Sequence, residues 1–319
     1  MEHQRLETTI GTLRLRSPLM TASGTSGSAD ELASLGDGAA IARTLGAFVT
    51  KGVTLAPRHG NPEPRIIETR AGILNSIGLQ NKGADRFLSE DLPKLAQYGA
   101  PVIVNISANT VEEYGALAAR LLGGDGGAIA GLEINVSCPN IKQGGVSFGI
   151  DPVAIEQIVR AVKKESGKAT VITKLTPNIT DITVAARGAI AGGTDALSMI
   201  NTLRGVAIDI RAQKPYFANV AAGLSGPAVK PVGLCMVWDC FAKIPECRSK
   251  QVPIIGIGGI STWQDAVEYL LAGASAVQVG TAWFVYADVF TGIHDGLVKY
   301  LDKNKTGVSG LIGKAHLGV

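Results

Sequence analysis

Eight short, continuously apolar runs separated by helical stretches predict a (β/α)8 TIM-type barrel, and glycine-bearing turns that end the last two runs agree with it. The runs are Pro18–Ala22, Ala47–Lys51, Val102–Ile106, Leu132–Val136, Val171–Leu175, Ala196–Ile200, Pro253–Ile257 and Ala276–Val279. They are apolar throughout rather than alternating, which describes strands covered on both faces. A helix between successive strands implies parallel pairing through right-handed crossovers, and eight such units close into a ring.

The helices follow from apolar residues at helical spacing over Val111–Leu122, Pro152–Glu165, Ile182–Ala191, Val229–Ile244 and Trp263–Ala272, with Gly167, Gly192 and Gly273 as stops. Tyr286–Leu301 reads as a final helix, and the tail around Gly307–Gly313 is expected to pack across the barrel or a partner. Two intervals between strands are long. Gly52–Gly99 holds Pro57, Pro62, Pro64 and the alternating Arg65–Thr69; Leu203–Gly226 holds Ala207–Arg211 and Tyr216–Ala218, each short enough for hairpin strands. Loops after barrel strands lie over the mouth, so both insertions are expected to roof a site on the C-terminal face. With no repeat, linker or low-complexity run, residues 1–319 read as a single domain.

Composition narrows the function. With 46% hydrophobic and 18% charged residues, the chain is not disordered, and its net charge of +3 is scattered rather than gathered into a basic stripe, so nucleic acid is not an expected partner. No apolar run approaches the ~20 residues that span a bilayer, and the N-terminus has no apolar signal core, so a cytoplasmic protein without a membrane partner is expected. The four cysteines form no paired framework. Cys235, Cys240 and Cys247 lack metal-cluster spacing and read as helix packing, and no metal site is expected.

The strand ends carry the chemistry. Ser23, Lys51, Asn105, Asn135, Lys174, Asn201 and Gly258 all stand at or just after a strand end and therefore converge on one rim. Lys51 and Lys174 close otherwise apolar strands, a costly placement that calls for an anionic partner. Asn75, Asn135, Asn140 and Asn201 supply amide donors and acceptors suited to a flat ligand edged with N–H and C=O groups, such as a pyrimidine. The turns Ile255-Gly-Ile-Gly-Gly-Ile260 and Val279-Gly-Thr281 read as a phosphate cradle, because glycine lets backbone N–H groups approach phosphate oxygens at the usual phosphate position of such barrels. No G-x-G-x-x-G fingerprint supports a nicotinamide site. Cys138 follows the fourth strand, ahead of a glycine-bearing loop. The four histidines fall outside the strand ends, so Cys138 is a candidate base rather than half of a Cys/His couple.

These motifs resemble the class 1 dihydroorotate dehydrogenases, and type B among them, over nearly the whole chain. The resemblance rests on Thr21-Ala-Ser-Gly24, Thr50-Lys-Gly52, Asn75-Ser-Ile-Gly-Leu-Gln-Asn81, Asn135-Val-Ser-Cys-Pro-Asn140, Thr173-Lys-Leu-Thr-Pro-Asn178, Ile200-Asn-Thr202, Gly223-Leu-Ser-Gly-Pro-Ala228, Gly256-Ile-Gly-Gly259 and Val279-Gly-Thr-Ala282. It implies oxidation of dihydroorotate to orotate in pyrimidine biosynthesis by an FMN. The FMN phosphate is expected on Gly226, Gly258, Gly259, Gly280 and Thr281. Its ring is expected against Ala22, Ser23, Lys51, Asn105 and Lys174, with Asn135 and Ile200 also at the cofactor. By the same resemblance Lys51, Asn75, Gly78, Leu79, Asn135, Asn140, Asn201 and Thr202 form the substrate shell, and Cys138 matches the family's base.

The lid Cys-Pro-Asn-Ile-Lys-Gln-Gly-Gly and the pair Asn201-Thr202 point to type B, whose partner resembles ferredoxin reductases, carries FAD and a 2Fe-2S cluster, and passes electrons to NAD. A homodimer, or a heterotetramer with that partner, is the expected assembly. Alternatives are a fumarate-using type A enzyme, a dihydropyrimidine dehydrogenase-like enzyme for dihydrouracil or dihydrothymine, and a non-catalytic flavin- or phosphate-binding regulatory barrel. The dihydropyrimidine enzymes typically carry histidine after the Cys-Pro pair, where this chain has Asn140.

Overall fold

A computed structural model of the chain describes residues 5–27, 38–137 and 148–318. It opens with a hairpin of β1 (Thr8–Ile10) and β2 (Leu13–Leu15) that sequence patterning did not foretell. The first two barrel strands are β3 (Leu19–Thr21) and β4 (Phe48–Val49), followed by an inserted pair, β5 (Ile66–Thr69) and β6 (Gly72–Asn75). The chain returns to the barrel as β7 (Val102–Ile106), β8 (Ile129–Asn135), β9 (Thr170–Leu175) and β10 (Ala196–Met199). The second insertion holds β11 (Leu203–Val206), β12 (Ile208–Asp209), β13 (Lys214–Pro215) and β14 (Ala221–Ser225), and β15 (Ile254–Ile257) and β16 (Ala274–Val279) complete the ring.

All eight predicted runs are barrel strands. They pair in parallel in the order β3-β16-β15-β10-β9-β8-β7-β4, and a parallel bridge between Met20 and Ala47 brings the last beside the first. The result is a (β/α)8 barrel.

The helices begin where the sequence supplies caps. Thr110 accepts from the Glu113 N–H ahead of Val111–Gly123, Asp151 from Val153 ahead of Pro152–Glu165, and Asp181 from Thr183 ahead of Ile182–Ala191. Thr262 and Asp265 form a reciprocal capping box ahead of Trp263–Ala272. Two predicted helices start later than expected. Lys230–Lys243 follows a 3-10 turn at Pro227–Val229, and Val289–Lys303 follows one at Thr281–Phe284. Of the three cysteines on and after Lys230–Lys243, Cys240 and Cys247 are buried and Cys235 is exposed; burial pushes the Cys247 thiol up to about 12.

The second insertion corrects the expected hairpins. Tyr216–Ala218 is not a strand; β12 pairs with β13, while β11 pairs with β14. Both β11 and β14 contain glycine, which weakens any strand pattern, yet a Cβ at Gly223 would stand 2.3 Å from Thr202 Oγ1. The two insertions then join. An antiparallel sheet in the order β11-β14-β6-β5 unites chain segments about 150 residues apart, such as Asn75 and Gly223.

Alternation along each strand divides the core. Val102, Val104 and Ile106 of β7, Leu132 and Ile134 of β8 and Val171 and Leu175 of β9 pack outward under the helices. Inside the barrel, Met20, Val49, Ile103, Ile172, Ala196, Ile255 and Ala276 form an apolar layer, closed at the N-terminal end of the strands by Ile10 and Leu15 of the β1–β2 hairpin. The C-terminal end holds polar side chains instead. The tail packs on this chain: Val308 and Leu311 are buried, and the Gly313 N–H donates to Leu270 O at 3.0 Å.

Candidate active site

The polar layer is centred on Glu133, the inward-facing residue of β8 and fully buried. Its Oε1 accepts from Asn105 Nδ2 of β7 at 2.8 Å and faces Lys174 Nζ of β9 at 3.5 Å. Its Oε2 accepts from Ser198 Oγ of β10 at 3.0 Å and Gln278 Nε2 of β16 at 2.6 Å. A buried carboxylate is tolerated only when donors surround it, and here four strands supply them. Lys174 Nζ then reaches Ser23 Oγ at the end of β3, 2.8 Å away.

One step further out, Asn201 Nδ2 donates to Asn135 Oδ1 at 3.1 Å, and that oxygen also accepts from the Ser137 backbone N–H. Asn201 Oδ1 accepts from the Thr202 N–H at 2.8 Å. Asn135 thus keeps its amide donors unengaged among the described residues. Asn75 is set the other way, with Nδ2 donating to Gly223 O at 3.1 Å and its oxygen unengaged among the described residues. Donors on one side and an acceptor on the other match a planar heterocycle carrying both C=O and N–H.

Gly78 and Leu79 take positive φ values of 74° and 56°. Asn81 fixes them by donating from Nδ2 to Leu79 O at 2.8 Å while its Oδ1 accepts from the Gly83 N–H at 2.8 Å. Leu79 therefore lies against Gly52, whose absent Cβ would sit 3.5 Å from Leu79 Cδ2 and 3.2 Å from Asn105 Oδ1. Lys51, next in chain, is half-buried and has no ion pair among the described residues.

The predicted phosphate residues also converge. Gly259 has φ 67°, and a Cβ there would lie 2.6 Å from Lys230 Cβ and 3.0 Å from Gly226 O. Thr281 Oγ1 donates to Ser225 Oγ at 2.8 Å, and Gly280 abuts Ala22. Tyr269 fastens the turn from behind by donating to Gly258 O at 2.8 Å, and burial raises its phenol well above the ordinary value. Lys230 is already engaged with Asp265 at 2.6 Å and Glu268 at 2.9 Å. An anion in this cradle is therefore met by backbone N–H groups and hydroxyls rather than by a free cation.

Burial is the largest influence on Asp265 and opposes its ionisation. The Lys230 ammonium, the Ser261 N–H and the Thr262 hydroxyl and N–H together outweigh it and hold the carboxyl below the usual range. Two buried oxygens, Gln278 Oε1 and Ser137 Oγ, have no hydrogen-bond partner among the described residues. Orphans of this kind, beside a one-sided cation and a glycine cradle, fit a ligand that combines a phosphate with a polar ring.

A family model described as dihydroorotate dehydrogenase matches residues 5–301. The chain belongs to the dihydroorotate dehydrogenase family. The protein named dihydroorotate dehydrogenase B (NAD(+)), catalytic subunit, of Geobacter sp. strain M21 is 48% identical over 318 residues, covering 99% of this chain and 100% of that protein. Proteins of the same name from Pelobacter propionicus and Desulforamulus reducens are each 50% identical, over 94% and 97% of this chain and 95% and 97% of their own lengths.

Of the positions carrying the dihydroorotate dehydrogenase motifs, the structure joins Lys174 to Ser23, Asn135 to Asn201 and Thr202 to the Gly223 strand. Ile200 follows β10, and its Cγ1 lies 3.4 Å from the position of a Gly258 Cβ. Cys138 and Asn140 lie outside the described residues. Sequence reasoning passed over Glu133, Ser198, Gln278 and Ser225. Glu133 gave the same signal as Lys174, one charge within an apolar strand. Among the described residues no helix is long and apolar enough to cross a membrane.

Proposed function

We propose that this chain is the catalytic subunit of an NAD-linked dihydroorotate dehydrogenase: it oxidises (S)-dihydroorotate to orotate for pyrimidine biosynthesis at an FMN held in the barrel mouth. The observation that carries the reading is the pairing of two oriented asparagines, Asn135 and Asn201, beside the Lys174–Ser23 contact, in a chain aligned end to end with relatives of that name.

In this reading Gly226, Gly258, Gly259, Gly280 and Thr281 hold the FMN phosphate, and Ala22, Ser23, Lys51, Asn105, Asn135, Lys174 and Ile200 surround its ring. When bound, the flavin supplies the acceptor for the hydride equivalent leaving substrate C6. Lys51, Asn75, Gly78, Leu79, Asn135, Asn140, Asn201 and Thr202 hold the pyrimidine, asparagine donors meeting its oxygens and acceptors its N–H groups. The lysines balance negative charge on the reduced ring system and the substrate carboxylate. Cys138 takes the proton from substrate C5. With the cofactor bound, the balance would be orotate, the C5 proton on Cys138 and the two electrons on the cofactor.

The relatives' designation as a catalytic subunit with NAD(+) supports a second subunit that relays the electrons to NAD; we propose that this subunit carries FAD and an iron-sulfur cluster and sits on a homodimer of this chain. The exposed Val206, Ile208, Ile210 and Val220 on the second insertion give such an assembly an apolar surface to cover.

The test is to load the purified chain with FMN and add dihydroorotate without oxygen. Bleaching of the flavin band supports the reading, whereas bleaching by dihydrouracil alone assigns the reduced-pyrimidine chemistry instead. Replacing Cys138 by Ala is expected to leave flavin content intact and slow bleaching by ~10²-fold or more. Bleaching at an undiminished rate in that variant counts against the thiol.

A further inference from the structure

We propose that Glu133 is a positioning residue for the flavin, acting through Lys174. The proposal rests on the FMN reading above.

Glu133 receives only donors. Asn105 and Lys174 address Oε1 and Ser198 and Gln278 address Oε2, so the side chain is a pure acceptor, as a carboxylate is. It lies one layer beneath the rim, too deep to touch substrate, and the apolar layer of Met20, Ile103, Ile172 and Ala276 closes off the space below it. Its reach toward the mouth is through its partners.

Two consequences follow from the geometry. The first concerns orientation. Asn105 and Gln278 both turn their NH2 groups inward to Glu133, which fixes their oxygens away from it: Asn105 Oδ1 toward the gap left by Gly52, and Gln278 Oε1 with no hydrogen-bond partner among the described residues. The second concerns charge. Lys174 is nearly enclosed and stands between Glu133 and Ser23, so its ammonium is partly neutralised from below while one N–H remains for the ligand. Electron density arriving on a flavin ring beside Lys174 is stabilised by the ammonium, and the carboxylate beneath draws that ammonium back from the ring. Glu133 thereby sets how strongly the lysine favours the reduced ring.

The test compares the flavin midpoint potentials of the FMN-loaded wild type, Glu133→Gln, Lys174→Met and the double variant, in folded protein of verified flavin content. Glu133→Gln is expected to raise the ratio of reduced to oxidised flavin at a fixed poise at least tenfold, about 30 mV for a two-electron couple. In the Lys174→Met background the same change is expected to do nothing further, since the effect runs through the ammonium. A potential that is unmoved or lowered, or that moves equally without Lys174, overturns the proposal. If Glu133→Gln does not fold or hold flavin, Ser198→Ala, which removes a donor that shares the carboxylate's charge and leaves more of it to Lys174, must shift the potential in the opposite direction; an unmoved or raised potential there overturns it too. Failure of the underlying reading is visible separately, as a wild-type chain that takes up no FMN or whose flavin dihydroorotate does not reduce.

Discussion

Lys174 Nζ and Ser23 Oγ, 151 positions apart in the chain, meet at 2.8 Å across the mouth of the barrel, and the same ammonium lies 3.5 Å above the buried Glu133. The two contacts are unequal. A hydroxyl can be lost at modest cost, whereas removing the cation strands a carboxylate among four strands. Lys174→Met is accordingly expected to lower the stability of the flavin-free protein by ~3–5 kcal/mol, and Ser23→Ala by ~1 kcal/mol, read as urea midpoints at neutral pH. Equal losses would mean that Glu133 is satisfied by its neutral partners alone.

Gly259 tests the cradle. Its φ of 67° disfavours any side chain, and a Cβ would press on Lys230 Cβ at 2.6 Å and its backbone nitrogen at 2.9 Å. The start of the Lys230–Lys243 helix must then retreat from the turn. Gly259→Ala is expected to fold, with a stability loss of ~1–3 kcal/mol, and to weaken FMN binding at least tenfold in fluorescence titration. Riboflavin, which lacks the phosphate, is expected to bind both proteins alike. An equal loss for riboflavin would place the phosphate elsewhere.

The barrel was legible because its strands are apolar on both faces, a pattern that survives without neighbours. Lys174 was legible for the same reason, since a lone cation in Val171-Ile-Thr-Lys-Leu175 has no local excuse. Glu133 in Ile129–Asn135 obeys the same logic but sits two residues short of the strand end, where attention to the rim misses it. The insertion sheet was not legible. Its strands β6 and β14 pair Asn75 with Gly223 across two separate excursions of the chain, and each carries glycine where close approach demands it. The amide orientations were likewise out of reach, because Asn105 and Gln278 are turned by Glu133 on another strand and Asn135 by Asn201 in the segment after β10.

Asp265 links the cradle to acid stability. Its carboxyl is held below the usual range by Lys230, Ser261 and Thr262 against the opposing pull of burial. A group whose folded value is depressed contributes stability above its unfolded value of ~3.9 and loses it as pH falls through the folded one. Asp265→Asn is therefore expected to be less stable than the wild type at pH 7 and pH 5 by the same amount, with the gap narrowing toward pH 3. Urea midpoints at the three values decide it; a gap that is unchanged at pH 3 would assign the loss to the helix cap rather than to the charge.

Asn201 offers the sharpest separation of binding from folding. Its Nδ2 donates to Asn135 Oδ1 at 3.1 Å and its Oδ1 accepts from the Thr202 N–H at 2.8 Å, so it both turns the Asn135 amide and shapes the segment leading into β11. Asn201→Ala removes both contacts and leaves the Asn135 amide held by the Ser137 N–H alone, so its donors are less firmly aimed at the substrate. An unpaired polar contact of this kind costs ~1–3 kcal/mol, which corresponds to a ~5- to 150-fold loss in kcat/KM for dihydroorotate. Because Asn201 is only half-buried and carries no charge, the urea midpoint is expected to fall by less than ~1 kcal/mol equivalent. Asn201→Asp turns the same position into an acceptor on both oxygens and sets a negative charge near the substrate carboxylate, so its kcat/KM should fall further than that of the alanine variant at unchanged flavin content. A milder loss for aspartate than for alanine would show that Asn201 serves the fold of the mouth and not the recognition of the pyrimidine.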